Sequence, residues 1–172
     1  MFISYIKVIS LKKILKRSLH NVKPSSLITP IQTVGIILDE SYFSNKEQLT
    51  EELIACGINE NNINMIVFRD KIKKNESFSK PTFSNNDMSW KGDFNKIFIT
   101  NFLNTPFDML ISYYDTEKVP LLYITNHSKA LFKTGFSTID KRLNHLMINT
   151  NAENYKVFVH ELFRYLKILN KI

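Results

Sequence analysis

Three carboxylates, Asp39, Asp70 and Asp115, each stand just beyond a short apolar run of the chain. That placement matters because ligands of open α/β sheets gather at the carboxyl ends of the strands. Paired carboxylates there can divide acid and base roles or hold a metal ion. The same loops carry Glu40, Ser41, Arg69, Tyr113, Tyr114, Ser137, Asp140, Asn149 and Asn151. Asp or Asn in such loops also caps the helix that follows. Asp39, Asp70 and Asp115 are therefore candidate catalytic residues of a small Rossmann-like enzyme or nucleotide-binding protein, with capping as the plainer role.

The fingerprints that would fix a reaction are missing. Asp39-Glu40-Ser41-Tyr42 stands after the first apolar run in place of G-x-G-x-x-G, and neither G-x-x-x-x-G-K-[ST] nor G-x-S-x-G occurs. The four histidines, at 20, 127, 145 and 160, lack metal-ligand spacing. His127 falls at an expected helix end, where a solvated or capping role is the plain one. Cys56, the one cysteine, has no disulfide partner and is expected to be a buried, inert thiol on a helix. The sequence thus identifies no cofactor and no metal site, and favours binding over catalysis.

A second set of candidates lies at the N-terminus. Six of the 23 basic residues, Lys7, Lys12, Lys13, Lys16, Arg17 and Lys23, precede Asp39, the first acid in the chain. The other 17 face all 16 acids, so residues 24–172 carry a net +1 and the whole-chain +7 is a local property. Affinity of the whole domain for nucleic acid is therefore not implied. Residues 1–23 read as an amphipathic helix with Val8, Leu11, Ile14, Leu15, Leu19 and Val22 on one face. Lys12, Lys13, Lys16, Arg17, His20 and Lys23 fall opposite, while Phe2, Ile3, Tyr5, Ile6 and Ile9 lean towards the basic side. The six cations are candidate binding residues for an anionic membrane, a partner protein, or a ribosomal or other RNA surface. The alternative is that the helix packs on its own domain or on a second copy.

The elements that must position these groups follow from periodicity. Residues 24–30, from Pro24 to Pro30, read as a linker. Short apolar runs at Thr33–Leu38, Ile63–Phe68, Met109–Tyr113, Phe132–Phe136 and Leu146–Asn149 suit buried strands, with a further short one possible near Phe83. Between them, helices are expected after the S-x-x-E capping box of Ser44 and Glu47, over Asp93–Asn104, and over 117–127 with Pro120 in its first turn. Phe94, Ile97, Phe98 and Phe102 share a face of the second of these. Gly57 supplies the left-handed stop of the first. A final helix, capped by Asn151, carries Tyr155, Phe158, Val159, Leu162, Phe163, Leu166 and Leu169 at helical spacing. This alternation predicts an α/β Rossmann-like three-layer sandwich over 31–172, with a mainly parallel sheet of about five strands, preceded by the basic helix.

The blocks FDMLI (107–111) and KTGF (133–136) resemble part of the N-terminal domain of heptosyltransferase-type glycosyltransferases, which implies strand–helix–strand architecture only. The blocks KKILKRSL, TVGIILDESYF, FDMLISYYD, KTGFSTIDKRLNHLMINT and NYKVFVHELFRYLKIL together resemble an uncharacterised family of bacterial proteins of unknown function. That resemblance implies a cytoplasmic single-domain protein and transfers no activity or site. The start has no charge before its apolar stretch and no small-residue cleavage pattern, so no secretory signal is read. Nothing approaches the roughly 18 apolar residues of a membrane span. The expectation is a cytoplasmic, non-catalytic binding or adaptor protein, peripheral to the membrane in one of its versions. Deleting 1–23 is expected to leave a folded domain.

Overall fold

A computed structural model describes residues 2–25, 29–73 and 75–172, with the side chains of residues 2–5 and Val8 outside that description. Its elements are α1 (Phe2–Ser18), β1 (Val34–Asp39), α2 (Lys46–Ala55), β2 (Ile63–Phe68), β3 (Thr82–Phe83), α3 (Ile97–Asn104), β4 (Met109–Tyr113), α4 (Val119–His127), β5 (Phe132–Phe136), β6 (Leu146–Ile148) and α5 (Tyr155–Ile168). The strands form one six-stranded sheet in the order β3-β2-β1-β4-β5-β6. Every pairing is parallel. The chain is thus the expected α/β sandwich, with one strand more than the five apolar runs. The addition, β3, is the short strand anticipated near Phe83, a two-residue edge pairing with β2.

Residue parity along the strands sorts the helices into two layers. Tyr113 and Phe136 meet Phe158 of α5 at 5.1 and 4.7 Å between ring centroids, and α2 packs beside α5 on that face. Ser112, one residue earlier, points the other way to Thr125 of α4, and α1 packs on α4 there. Gly35, in register with Leu110, shares the α4 face; a Cβ on it would stand 2.6 Å from the Phe107 ring and 3.0 Å from Phe102 of α3. That close approach is why a residue without a side chain stands second in β1.

Several local expectations need correction. Ser44 does not cap α2: the N-cap is Asn45, with no side-chain cap bond. Gly57 does end α2, at φ +102°. Asn151 caps a turn rather than α5, since its Oδ1 accepts from Asn154 N at 3.2 Å and the helix starts at Tyr155. Helix α3 begins only at Ile97, which is 73% exposed, because its buried stripe runs through Ile99 and Phe102 instead. Cys56 is exposed at the C-cap of α2, and partial burial with nearby Glu52 raises its thiol pKa, so it is a poor nucleophile rather than a core residue.

The N-terminal segment is joined to the domain at several points between Leu11 and Ser25. Leu11, Leu15 and Leu19 belong to the hydrophobic core. Val22 N donates to Arg142 O at 2.8 Å, His145 Nε2 pairs with Lys23 O at 2.8 Å, and Ser25 Oγ donates to Leu131 O at 2.9 Å. Residues 26–28 of the expected linker lie outside the described residues.

Candidate functional site

The strand order reverses between β1 and β4, which puts the usual ligand crevice above their carboxyl ends. Asp39 ends β1 and is 94% buried, being only 6% exposed. Its Oδ1 accepts from Ser41 N at 2.9 Å, and its Oδ2 meets Lys118 Nζ at 2.7 Å. Lys118 Nζ also meets Asp70 Oδ2 at 2.9 Å. The ammonium sits over the rings of Tyr42 and Phe68, 4.7 and 5.0 Å from their centroids. Burial works against the charge of Lys118, yet the hydrogen bonds it donates to Asp39 and Asp70 carry its pKa above the ordinary lysine value. The crevice is therefore closed by one cation shared between two carboxylates.

Of the three candidate carboxylates, the fold brings Asp39 and Asp70 together and sends Asp115 elsewhere. Asp115 Oδ2 accepts from Ala152 N at 2.9 Å and its carbonyl accepts from Thr138 Oγ1 at 2.8 Å. Tyr113 OH donates to Ala152 O at 2.6 Å, so β4 is tied twice to the loop before α5. Around the crevice Glu40 pairs with Lys46 and, at 3.4 Å, with Arg69, which in turn meets Glu76. Neither carboxylate of the joined pair is left unpaired to act as a base. Among the described residues no group of three or more His, Cys, Asp or Glu side chains could hold a metal ion.

Lys118 is the residue that the reading of motifs missed. It is the N-cap of α4, where a cation opposes the helix dipole, and that opposition was the available signal.

The basic candidates are arranged differently. Helix α1 turns Leu11 and Leu15 inward, with Leu19 buried just past its end, and leaves Lys12, Lys13, Lys16 and Arg17 exposed. Ile6 and Ile9 are 43% and 50% exposed beside them. Among the described residues none of those four cations ion-pairs with an acid, although Lys12 and Lys16 border a groove that Glu117 and Asp140 share. Lys7 Nζ donates to Asn85 O at 3.2 Å, and Lys23 lies beyond the helix, its carbonyl bonded to His145.

A third polar site lies beneath α4. Thr125 Oγ1 pairs with Ser112 Oγ at 3.1 Å and with Tyr114 OH at 2.6 Å, and Lys133 Nζ donates to Thr125 O at 2.7 Å and Asn126 O at 3.3 Å. Lys133 is 7% exposed, and burial pulls its pKa down to about 8.

An all-parallel sheet in this order, layered by helices on both faces, defines a Rossmann-like α/β protein whose switch-point crevice lacks a glycine-rich phosphate loop. The chain belongs to a family of unknown function (DUF6913), whose model matches residues 7–169. No curated protein and no solved structure matches it. Among the described residues no helix is long and apolar enough to cross a membrane.

Proposed function

We propose that this protein is a non-catalytic binding module that docks through the outer face of α1 on an anionic membrane surface, as a cytoplasmic protein held at the bilayer periphery. The observation that carries this reading is the composition of that face. Exposed Ile6 and Ile9 stand beside Lys12, Lys13, Lys16 and Arg17, with no acid paired to any of the four cations among the described residues. A lipid surface rewards both halves of this pattern: apolar side chains enter the headgroup boundary, and each surface Lys or Arg gains ~1 kcal/mol from anionic lipid. RNA would reward the cations only. Because Leu11, Leu15 and Leu19 hold the helix to α4, docking would fix the orientation of the whole domain rather than hang it on a tether.

Co-sedimentation with vesicles of phosphatidylcholine, with and without phosphatidylserine, tests the proposal at low and high salt. Binding that requires phosphatidylserine and is lost in Lys12→Glu/Lys16→Glu is expected. Equal binding to both vesicle types, or binding to ribosomes without binding to vesicles, would overturn it. The competing reading, an enzyme using strand-end carboxylates, has less support because Asp39 and Asp70 are held by Lys118 and Asp115 serves the loop before α5.

A further inference from the structure

A cleft of about 480 Å³ opens where residues 18–24 pass the C-terminal end of α4 and the starts of β5 and β6. It lies at the opposite end of the sheet from the Lys118 crevice. Its lining includes His20, Lys23, His127, Lys133, Arg142 and His145, and no acid among the described residues. Leu131 and Leu143 supply apolar wall.

Not all of these groups offer charge. Arg142 is already engaged by Asp140 at 2.5 Å and by Leu19 O at 3.4 Å. His145 uses both ring nitrogens, accepting from Lys133 N at 2.8 Å on Nδ1, which leaves Nε2 to donate to Lys23 O. It is therefore a neutral strut between the N-terminal segment and β5, and burial lowers its pKa further. His127 stacks on Tyr123 and bonds its carbonyl.

Lys133 is the exception. Its ammonium is buried, reaches only the carbonyls of Thr125 and Asn126, and has no carboxylate partner among the described residues. The C-terminal end of α4 supplies roughly half a negative charge, which leaves the buried cation half answered. Buried charges are ordinarily paired, so an anion in this cleft would complete an arrangement the protein leaves open.

We propose that the cleft binds a small phosphate-bearing anion, with the ammonium of Lys133 at its inner end, Lys23 at its mouth, and Leu131 and Leu143 against the rest of the ligand. The proposal stands apart from the docking of α1, since it concerns different side chains.

Titration calorimetry of the full chain with inorganic phosphate, at ionic strength held constant with chloride, should show one saturable site. Backbone amide shifts should move at Val22, Ala130 and Leu131. Lys133→Met should weaken binding roughly tenfold or more, the worth of a charged hydrogen bond, while Lys12→Glu/Lys16→Glu should leave it unchanged. Glycerol phosphate and phosphatidic acid vesicles distinguish a soluble phosphate ester from a lipid headgroup, and cleft shifts with either support the site. Absence of saturable phosphate binding, shifts confined to α1, or unchanged affinity in a folded Lys133→Met protein would overturn it. Should that variant not fold, the shift map of the unaltered chain decides. Vesicle binding that survives Lys133→Met leaves the α1 reading intact whatever happens at the cleft.

Discussion

The ammonium of Lys118 lies 2.7 Å from Asp39 and so links the end of β1 to the start of α4 across the point where the strand order reverses. A dinucleotide-binding relative of this architecture would hold a phosphate near this place, on helix N–H groups. Here the position belongs to an internal ion pair extended by Asp70.

Lys118→Met is predicted to destabilise the fold by about 3–5 kcal/mol, because Asp39 would stay buried without its counter-ion. Asp70→Ala should cost less than about 1 kcal/mol, since Asp70 is 40% exposed. The double variant Asp39→Asn/Lys118→Met should recover part of the loss, with a coupling of about 0.5–3 kcal/mol in urea unfolding. Additive single effects would show that the pair does not act as a unit.

Helix α1 is predicted to be indispensable for folding. Leu15 is 3% exposed within the core, so Leu15→Ala should cost about 2–5 kcal/mol. The burial of Leu11, Leu15 and Leu19 reverses the expectation that residues 1–23 can be deleted from a folded domain: removing them uncovers the α4 surface, and the shortened chain should aggregate on gel filtration. A monodisperse, cooperatively unfolding truncation would refute this.

Lys133 predicts a specific pH dependence. Its folded pKa of about 8 lies below the ordinary 10.5. Between those values the unfolded chain binds the extra proton, so stability rises with pH across the window, and the cost is fully present below pH 8. The cost is on the order of 3 kcal/mol. The stability of wild type minus that of Lys133→Met should therefore increase by that order from pH 7 to about 10.5. The variant also orphans Thr125 O, at about 1–3 kcal/mol, which offsets its gain equally at every pH. Guanidinium unfolding at stepped pH measures the difference, and a flat profile would place the ammonium in solvent.

Gly35→Ala should destabilise by about 1–3 kcal/mol through overpacking, since the new methyl would meet Phe107 at 2.6 Å. Combining it with Phe107→Leu should return part of that loss.

The amino-acid sequence specifies the layered α/β class on its own. Five apolar runs and the Phe158–Leu162–Leu166 stripe carry periods that any burial must respect, and they became β1, β2, β4, β5, β6 and α5. It also determined where the positive charge lies. The lysine inside the apolar run Phe132–Phe136 went unread there, although a cation in a buried strand needs an explanation. Tertiary structure alone decided partnership. Asp39, Asp70 and Lys118 are separated by 31 and 48 positions along the chain, and only the β2-β1-β4 order brings them to one point while carrying Asp115 to Ala152. The amphipathic pattern of α1 likewise demanded burial of one face without naming the surface that buries it. That surface is α4, because the apolar face of α1 is covered there by side chains more than a hundred positions away, a choice no local period records.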